Sequence, residues 1–167
     1  MPNKGISVNV QELESLIIDT PDFPIPGVVF KDIFPVLRDK LPELMQMFKE
    51  LTDWSEIDYI IGIESRGFIL GSALAASLGI GFIPIRKKGK LPPPILDESY
   101  SLEYGADVLE IQENEEKKNV VLLDDVLATG GTLRAAIKLC KKANYNIKDT
   151  LVLINLGFLN NFKEENI

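Results

Sequence analysis

The sequence contains no histidine and only one cysteine, Cys140, among its 167 residues. The lack of histidine excludes catalytic triads and metal sites that depend on it, and one cysteine cannot form an intramolecular disulfide or a zinc site of several cysteines. Acid–base chemistry must therefore come from Asp, Glu, Lys, Tyr or the backbone. Cys140 lies on the apolar face of a predicted helix, and we expect it to be a buried structural thiol.

Long apolar runs are also missing. No stretch reaches the ~20 residues that a membrane helix needs, and residues 1–20 do not show the basic and apolar regions of a signal peptide. We therefore expect a cytoplasmic protein that binds no membrane. The net charge of −7 argues against broad binding to nucleic acid, which usually requires a basic face.

What the sequence does contain is an alternation of apolar strands and helices. Core strands are predicted at four places, 59–63, 82–85, 119–123 and 150–156. Helices are predicted between them at 67–78 and 132–143, and ahead of them at 10–18 and 41–54, with a short strand at 28–30. This alternation is typical of an α/β fold, in which a parallel sheet is flanked by helices and the ligand lies at the carboxyl ends of the strands.

Residues 91–116 interrupt the alternation between the second and third core strands. Three prolines open this segment, and residues 100–104 and 107–111 are predicted to pair as a hairpin across Gly105 and Ala106. A long insertion at the ligand end of an α/β sheet is often a lid. No linker marks a second domain, so we expect one domain over residues 1–167.

The strongest motif follows the third core strand and runs from Asp124 to Thr132, with the sequence DDVLATGGT. Small residues let the backbone approach a ligand closely, and the unpaired amides at the start of the next helix favour a phosphate. The spacing is not that of a Walker loop. The two carboxylates suit sugar hydroxyls or a magnesium–pyrophosphate complex. The alternative is that the acids only begin a loop, which the glycines then turn.

This motif resembles the phosphoribosyl pyrophosphate motif of type I phosphoribosyltransferases, in which two acids follow an apolar strand and precede Ala-Thr-Gly-Gly-Thr. The resemblance implies the fold of that family, with an N-terminal hood at about residues 1–33 and a flexible hairpin lid at about residues 91–116. It also implies that Asp124 and Asp125 bind the ribose and that the loop cradles the 5′-phosphate. The implied loop contacts are Ala128, Thr129, Gly130, Gly131 and Thr132.

The loop after the first core strand reads Glu64-Ser65-Arg66-Gly67-Phe68 and resembles the adenine branch of this family. On its own it is equally typical of a helix start that a serine caps. The resemblance implies that Glu64, Ser65 and Arg66 hold pyrophosphate, that Arg66 acts in catalysis, and that the Glu64–Ser65 peptide bond is cis. Arg66 suits this role because its planar guanidinium matches phosphate oxygens.

A basic segment between the second core strand and the lid reads Arg86-Lys87-Lys88-Gly89-Lys90. A solvated run of charge is the usual interpretation of such a stretch. The segment resembles the Arg-Lys-x-Gly-Lys of the adenine branch, which implies that Arg86, Lys87 and Lys90 bind pyrophosphate, partly across a homodimer interface.

The lid segment Ser99 to Gly105 contains Leu-Glu-Tyr and also resembles the adenine branch. Without the resemblance it would be one arm of a hairpin with an exposed glutamate. The resemblance implies that Glu103 approaches the purine and assists a proton transfer, and that Tyr104 helps to close the site. A carboxylate in a closing lid is a suitable acid–base group, since closure excludes water and raises its pKa.

Two more segments resemble the parts of the family that contact adenine. In the hood, the resemblance of residues 23–33 implies that Val29, Phe30 and Lys31 contact the edge of the base. Leu156 matches an apolar residue of the family that packs on the base. Lys31 is often Arg in the family, and Asn155 is commonly Glu, so the base pocket departs from the family pattern there. For the apolar residues at positions 23 and 25 we favour core packing.

Together these resemblances imply an adenine phosphoribosyltransferase of purine salvage, which makes AMP and pyrophosphate from adenine and phosphoribosyl pyrophosphate. Mg²⁺ would be carried by the phosphoribosyl pyrophosphate, because the chain shows no dedicated metal cage. One alternative is a related enzyme that uses hypoxanthine, guanine or xanthine. Another is a regulator that senses phosphoribosyl pyrophosphate without catalysis, although the chain lacks an added DNA-binding module.

Overall fold

The computed structural model describes residues 9–102, 105–160 and 162, which form two compact units that divide between Thr52 and Asp53. The expectation of one domain over the whole chain stays a prediction. No helix among the described residues is long and apolar enough to cross a membrane.

The first unit contains short elements, namely α1 (Val10–Ser15), β1 (Ile18–Pro21), β2 (Val29–Asp32), α2 (Phe34–Asp39) and α3 (Leu41–Leu51). The strands β1 and β2 pair antiparallel, with Ile18 opposite Asp32. The predicted helix at 10–18 is therefore too long, because Ile18 already belongs to a strand. The predicted helix at 41–54 is also too long, since α3 ends at Leu51.

The second unit contains β3 (Tyr59–Ile63), α4 (Arg66–Leu78), β4 (Gly81–Lys87), β5 (Ile95–Leu102), β6 (Gly105–Gln112), β7 (Lys118–Leu127), α5 (Gly131–Lys142) and β8 (Tyr145–Asn155). Its six strands form one sheet in the order β5-β6-β4-β3-β7-β8. The strands β4, β3, β7 and β8 are parallel, whereas β6 joins β4 and β5 in the antiparallel sense. The predicted α/β fold with a parallel sheet is confirmed.

The helices α4 and α5 cover opposite faces of the sheet. Ile61 and Ile63 of β3 belong to the same buried core as Leu133, Leu139 and other residues of α5. Successive residues of a strand point to opposite faces, so Gly62 faces the other way. A Cβ atom on Gly62 would lie only 2.6 Å from the carbonyl oxygen of Gly67 in α4, which shows how closely that helix approaches β3.

Cys140 lies in α5 and is fully buried. Burial raises the pKa of its thiol to about 12. This confirms the expectation of a buried structural thiol.

The strands β5 and β6 form the hairpin that the sequence predicted, although the predicted turn is wrong. Gly105 and Ala106 lie within β6, opposite Leu102 and Ser101. The register is set by the pairing of two strands of eight residues each, which outweighs the local preference of a glycine for a turn. The hairpin is also tied to α5, because Lys142 Nζ donates hydrogen bonds to the Glu98 carboxylate and to the carbonyl oxygen of Asp97.

Candidate active site

Polar side chains converge at the carboxyl ends of the parallel strands β3, β4 and β7. The expectation that the acidic pair follows its strand is wrong, because β7 continues to Leu127 and contains both Asp124 and Asp125. The reason is the neighbouring strand β8, which extends far enough to pair Asp124 with Val152. The two carboxylates are consequently held by a sheet strand rather than by a loop.

Glu64 follows β3 and organises the basic segment at the end of β4. Its carboxylate accepts hydrogen bonds from Lys90 Nζ at 2.8 Å, from the Lys87 amide at 3.0 Å, and from Arg86 Nε and Nη2 at 3.3 and 3.4 Å. The Arg86 guanidinium also donates to the carbonyl oxygen of Lys90 at 3.2 Å. These contacts bring together four of the residues predicted to hold pyrophosphate, so the segment is not a simple run of solvated charge.

The surroundings of Glu64 keep its side chain ionised. Burial alone would raise its pKa, but hydrogen bonds from Lys90, the Lys87 amide and Arg86, together with the charge of Arg86, lower that pKa to about 2. A carboxylate with this pKa stays negative at any physiological pH, so the cationic side chains of the basic segment always have the negative Glu64 beside them.

Arg66 begins α4 and connects the loop after β3 with the acidic pair. Its Nε lies 2.6 Å from Asp125 Oδ2. This contact is an ion pair, and the oxygen itself is buried. Burial, and then the charge of Asp125, raise the pKa of the nearly buried Asp124.

The start of α4 lies unusually close to β7. A Cβ atom on Gly67 would lie 3.0 Å from the carbonyl oxygen of Leu123 and 3.2 Å from Asp124 Oδ1, so a side chain beside Arg66 would require β7 to shift slightly. Ser65 occupies the N-cap position of α4, but its hydroxyl makes no capping hydrogen bond, so the capped-helix interpretation of Ser65 is wrong. The Glu64–Ser65 peptide bond is cis, as the family resemblance implied.

The predicted phosphate loop connects β7 with α5. Gly130 is the N-cap residue of α5 and adopts a left-handed φ of 84°. As a glycine, this N-cap residue makes no side-chain hydrogen bond to the first turn of α5, whose amides can therefore face an anionic ligand. Arg134 Nη2 donates a 2.8 Å hydrogen bond to the carbonyl oxygen of Thr129.

Comparison with known proteins agrees with this geometry. A family profile described as phosphoribosyl transferase domain matches residues 39–156. The chain belongs to the phosphoribosyltransferase family. An adenine phosphoribosyltransferase from Bdellovibrio bacteriovorus is 50% identical over 151 residues, which cover 89% of this chain and 90% of that protein.

Solved structures of adenine phosphoribosyltransferases are also similar. The enzyme from Saccharomyces cerevisiae, crystallised with D-2,5-dideoxy-2,5-imino-altritol 1,6-bisphosphate and adenine, has a TM-score of 0.84 and 40% identity, with 90% of each chain covered. The enzyme from Trypanosoma brucei, solved with AMP, pyrophosphate and ribose 5-phosphate, has a TM-score of 0.81 and 26% identity, with 93% of this chain and 71% of that chain covered.

The structure describes only one of the three residues outside the hood that were predicted to lie near the purine. Glu103 and Tyr104 lie outside the described residues. Leu156 is half-buried after β8, and its amide donates a 2.9 Å hydrogen bond to the carbonyl oxygen of Leu127. Their predicted contacts with the purine stay predictions.

The three predicted hood residues Val29, Phe30 and Lys31 lie on β2 of the first unit. Lys31 Nζ forms a salt bridge of 2.6 Å with Asp19 on the paired strand β1. Phe23 packs edge-on against Phe30 with ring centroids 5.1 Å apart, yet it is 49% exposed. The expectation of core packing for Phe23 is therefore wrong, and the same holds for Ile25, which is also exposed.

Two acidic residues that contact the basic segment at the end of β4 were missed from the sequence. Glu110 is buried in β6 opposite Arg86, and both of its carboxylate oxygens accept from the Gly89 amide, at 3.0 and 2.9 Å. Asp107 of the same strand forms a 3.1 Å salt bridge with Lys87 Nζ. A signal was present for Glu110, because it is a charged residue between apolar neighbours in a predicted strand, and such a residue is normally buried only with partners.

Proposed function

We propose that this protein is an adenine phosphoribosyltransferase, which joins adenine to phosphoribosyl pyrophosphate and releases AMP and pyrophosphate in purine salvage. The observation that carries the proposal is the contact of Arg66 with Asp125, at 2.6 Å, directly ahead of the phosphate loop. This contact supports the proposal, because a cationic group that would stabilise the leaving pyrophosphate lies beside carboxylates suited to the ribose. The solved relatives with adenine, AMP, pyrophosphate and ribose 5-phosphate support the same assignment.

The sugar and its phosphate would occupy the end of β7 and the start of α5. Asp124 and Asp125 would accept hydrogen bonds from the ribose hydroxyls, and Asp125 Oδ2 is a buried acceptor to which no described group donates. Residues 128–132 would hold the 5′-phosphate through amides of the first turn of α5.

The pyrophosphate would lie among the cationic residues after β3 and β4. Arg66, Arg86, Lys87 and Lys90 supply the positive charge that stabilises the departing anion, and the hydroxyl of Ser65 adds a donor. Glu64 belongs to this site because its carboxylate holds the Arg86 guanidinium, the Lys90 ammonium group and the Lys87 backbone amide before the substrate arrives. Such preorganisation costs no rearrangement at the moment of reaction.

The proposed reaction is a displacement at C1 of the ribose. The bond from C1 to the pyrophosphate oxygen breaks and its electron pair leaves with pyrophosphate, while N9 of adenine forms the new bond to C1. Glu103 would assist the transfer of the purine proton, and Tyr104 would help the lid to exclude water from the cationic sugar. Val29, Phe30, Lys31 and Leu156 remain the proposed adenine contacts, on the basis of the family resemblance.

Magnesium is proposed to arrive with phosphoribosyl pyrophosphate as part of the substrate. Among residues 9–102, 105–160 and 162, no three acidic or cysteine side chains form a group that could hold a metal ion. The adjacent pair Asp124 and Asp125 fits a substrate-bound ion, because Mg²⁺ is usually held by one or two carboxylates and the phosphates of the substrate. A homodimer, which rests on the same family resemblance, and a cytoplasmic location complete the proposal.

The first experiment is a base-selectivity assay. The purified protein is incubated with Mg²⁺, phosphoribosyl pyrophosphate and each purine in turn, and nucleotide formation is followed. We expect AMP from adenine and little product from hypoxanthine, guanine or xanthine. Preference for another purine would overturn the choice of adenine, and binding of phosphoribosyl pyrophosphate without any product would favour a regulator.

The role of the lid glutamate is tested by Glu103→Ala. We expect kcat to fall by about 10²–10⁴-fold, which is the usual contribution of a general acid or base. Glu113→Ala is the matched control, since Glu113 is an exposed acid just after the hairpin. An equal effect of both variants, or none in Glu103→Ala, would remove Glu103 from the mechanism.

A further inference from the structure

Arg134 fixes one peptide group of the phosphate loop. Its Nη2 donates a 2.8 Å hydrogen bond to the carbonyl oxygen of Thr129, which belongs to the same planar peptide as the amide of Gly130. In a trans peptide the N–H points away from the C=O, so holding the Thr129 oxygen on the Arg134 side directs the Gly130 N–H to the opposite side. The orientation of a candidate phosphate donor thus depends on where the Arg134 guanidinium lies.

The Arg134 guanidinium is itself held by an aromatic ring. Its Cζ lies 5.1 Å from the ring centroid of Phe162, within the range of a cation–π interaction. The same two side chains close over Gly130, where an added Cβ atom would lie 2.6 Å from Phe162 Cδ2 and 2.9 Å from Arg134 Nη1. Gly130 is buried as a result, although Thr129 beside it is exposed.

Phe162 is anchored to the end of β8. Its amide donates a 3.2 Å hydrogen bond to Asn160 Oδ1, and Asn160 Nδ2 donates to Asn155 Oδ1 at 3.2 Å and to the carbonyl oxygen of Leu156 at 3.1 Å. Asn155 is the residue at which this sequence departs from the glutamate common in the family. A continuous set of contacts therefore runs from Asn155 through Phe162 and Arg134 to the loop.

We propose that Phe162 and Arg134 act as positioning residues that hold the phosphate loop ready for the 5′-phosphate of the substrate. This inference rests on the proposed function, and it goes beyond it by assigning a role to a residue after the segment 39–156 that the family profile matches. Phe162 acts through Arg134, and Arg134 acts through the peptide between Thr129 and Gly130. The pair should therefore affect phosphate binding more than adenine binding.

The test compares Phe162→Ala with the control Phe158→Ala, whose ring belongs to the same segment but is 82% exposed. Calorimetric titration gives the Kd of ribose 5-phosphate, and steady-state assays give KM for each substrate and kcat. We expect Phe162→Ala to raise the Kd of ribose 5-phosphate and the KM of phosphoribosyl pyrophosphate by about tenfold, which is the order of one lost cation–π contact and hydrogen bond. The KM of adenine should change less than twofold, and Phe158→Ala should match the wild type.

Two further variants separate positioning from general stability. Phe162→Trp keeps an aromatic face and should restore wild-type affinity for ribose 5-phosphate, whereas Arg134→Lys loses the planar fork and should behave like Phe162→Ala. Equal affinities for ribose 5-phosphate in Phe162→Ala and Phe158→Ala would overturn the inference. So would an equal rise in KM for adenine and phosphoribosyl pyrophosphate, because that pattern indicates only loss of structure.

The proposed function can fail independently of this inference. If the wild type binds ribose 5-phosphate, Phe162→Ala weakens that binding, and no purine is converted to nucleotide, the positioning role stands and the catalytic proposal is wrong. If the wild type does not bind ribose 5-phosphate at all, the phosphate site itself is wrong, and the role assigned to Phe162 is overturned with it.

Discussion

Glu64 illustrates at the scale of one residue how an acid can belong to an anion-binding site. A carboxylate would repel pyrophosphate directly, but here it is surrounded by an amide, a guanidinium and an ammonium group. Its side chain is only 11% exposed. Its negative charge is therefore permanent, and removing it should change both the stability of the fold and the binding of the substrate.

Replacing Glu64 by Gln should make stability less dependent on pH. The folded-state pKa of about 2 is lower than the ordinary value of 4.5, so this carboxylate stabilises the folded state above about pH 4.5, and that stabilisation is lost as the pH falls towards 2. The difference corresponds to about 3 kcal/mol at pH 7. Urea unfolding of wild type and Glu64→Gln between pH 7 and pH 3 should show two free energies of unfolding that converge on acidification.

The control for this prediction is Glu56→Gln. Glu56 forms a salt bridge of 3.1 Å with Lys148, but its side chain is 73% exposed. Exposed pairs of this kind contribute about 0–1 kcal/mol, so the control should differ little from the wild type at any pH. A Glu64→Gln difference that does not shrink on acidification would contradict the assigned pKa.

At the scale of elements, the site depends on the close approach of α4 to β3 and β7. Gly62 and Gly67 have no side chains, so the helix can lie closer to the strands than larger residues would allow. The approach sets the position of Arg66 at the start of α4. A change in this packing should therefore affect the pyrophosphate side of the site, even though neither glycine contacts a ligand through a side chain.

Gly62→Ala should lower both stability and the affinity for phosphoribosyl pyrophosphate. The added Cβ would lie 2.6 Å from the carbonyl oxygen of Gly67 and 2.7 Å from Phe82 Cε2, so backbone must move. Overpacking of this kind costs about 1–3 kcal/mol. Thermal unfolding and the KM of phosphoribosyl pyrophosphate measure the two effects, and Gly157→Ala, which has no atom within 4 Å of its added Cβ, should show neither. Similar behaviour of the two variants would mean that α4 can shift freely.

The elements were largely predictable from the sequence because their signals are local. Apolar runs marked β3, β4, β7 and β8, and the motif at residues 124–132 marked the start of α5. The sequence carried a signal for the burial of Glu110, but the partners of Glu110, Asp107 and Phe162 were not predictable, since each partner is distant in the sequence. The turn assigned to Gly105 failed for a related reason, because hairpin register depends on cross-strand pairing.

At the scale of the whole molecule, a strongly acidic chain carries a basic segment that we propose as the site of an anionic substrate. The net charge is −7, yet Arg86, Lys87 and Lys90 lie together at the end of β4. The net charge alone does not attract phosphoribosyl pyrophosphate, so capture depends on the local cations of this segment. Salt should weaken this attraction without changing the binding of an uncharged base.

The KM of phosphoribosyl pyrophosphate should rise several-fold as KCl is increased from about 50 to about 500 mM, because the screening length falls to a few ångströms over this range. The KM of adenine, measured in the same enzyme, is the internal control and should change little. Equal salt dependence for the two substrates would argue against the basic segment as the pyrophosphate site.

The reactivity of Cys140 can be used to measure opening of α5, the helix that follows the predicted phosphate loop. The thiol is fully buried in the helix that begins at that loop, and its pKa of about 12 leaves almost no thiolate at neutral pH. Alkylation by iodoacetamide should therefore proceed only through transient opening of α5. A ligand that binds only while α5 is folded slows this opening as it saturates the site. Labelling rates with and without phosphoribosyl pyrophosphate would therefore measure how strongly the ligand stabilises α5, without any introduced probe.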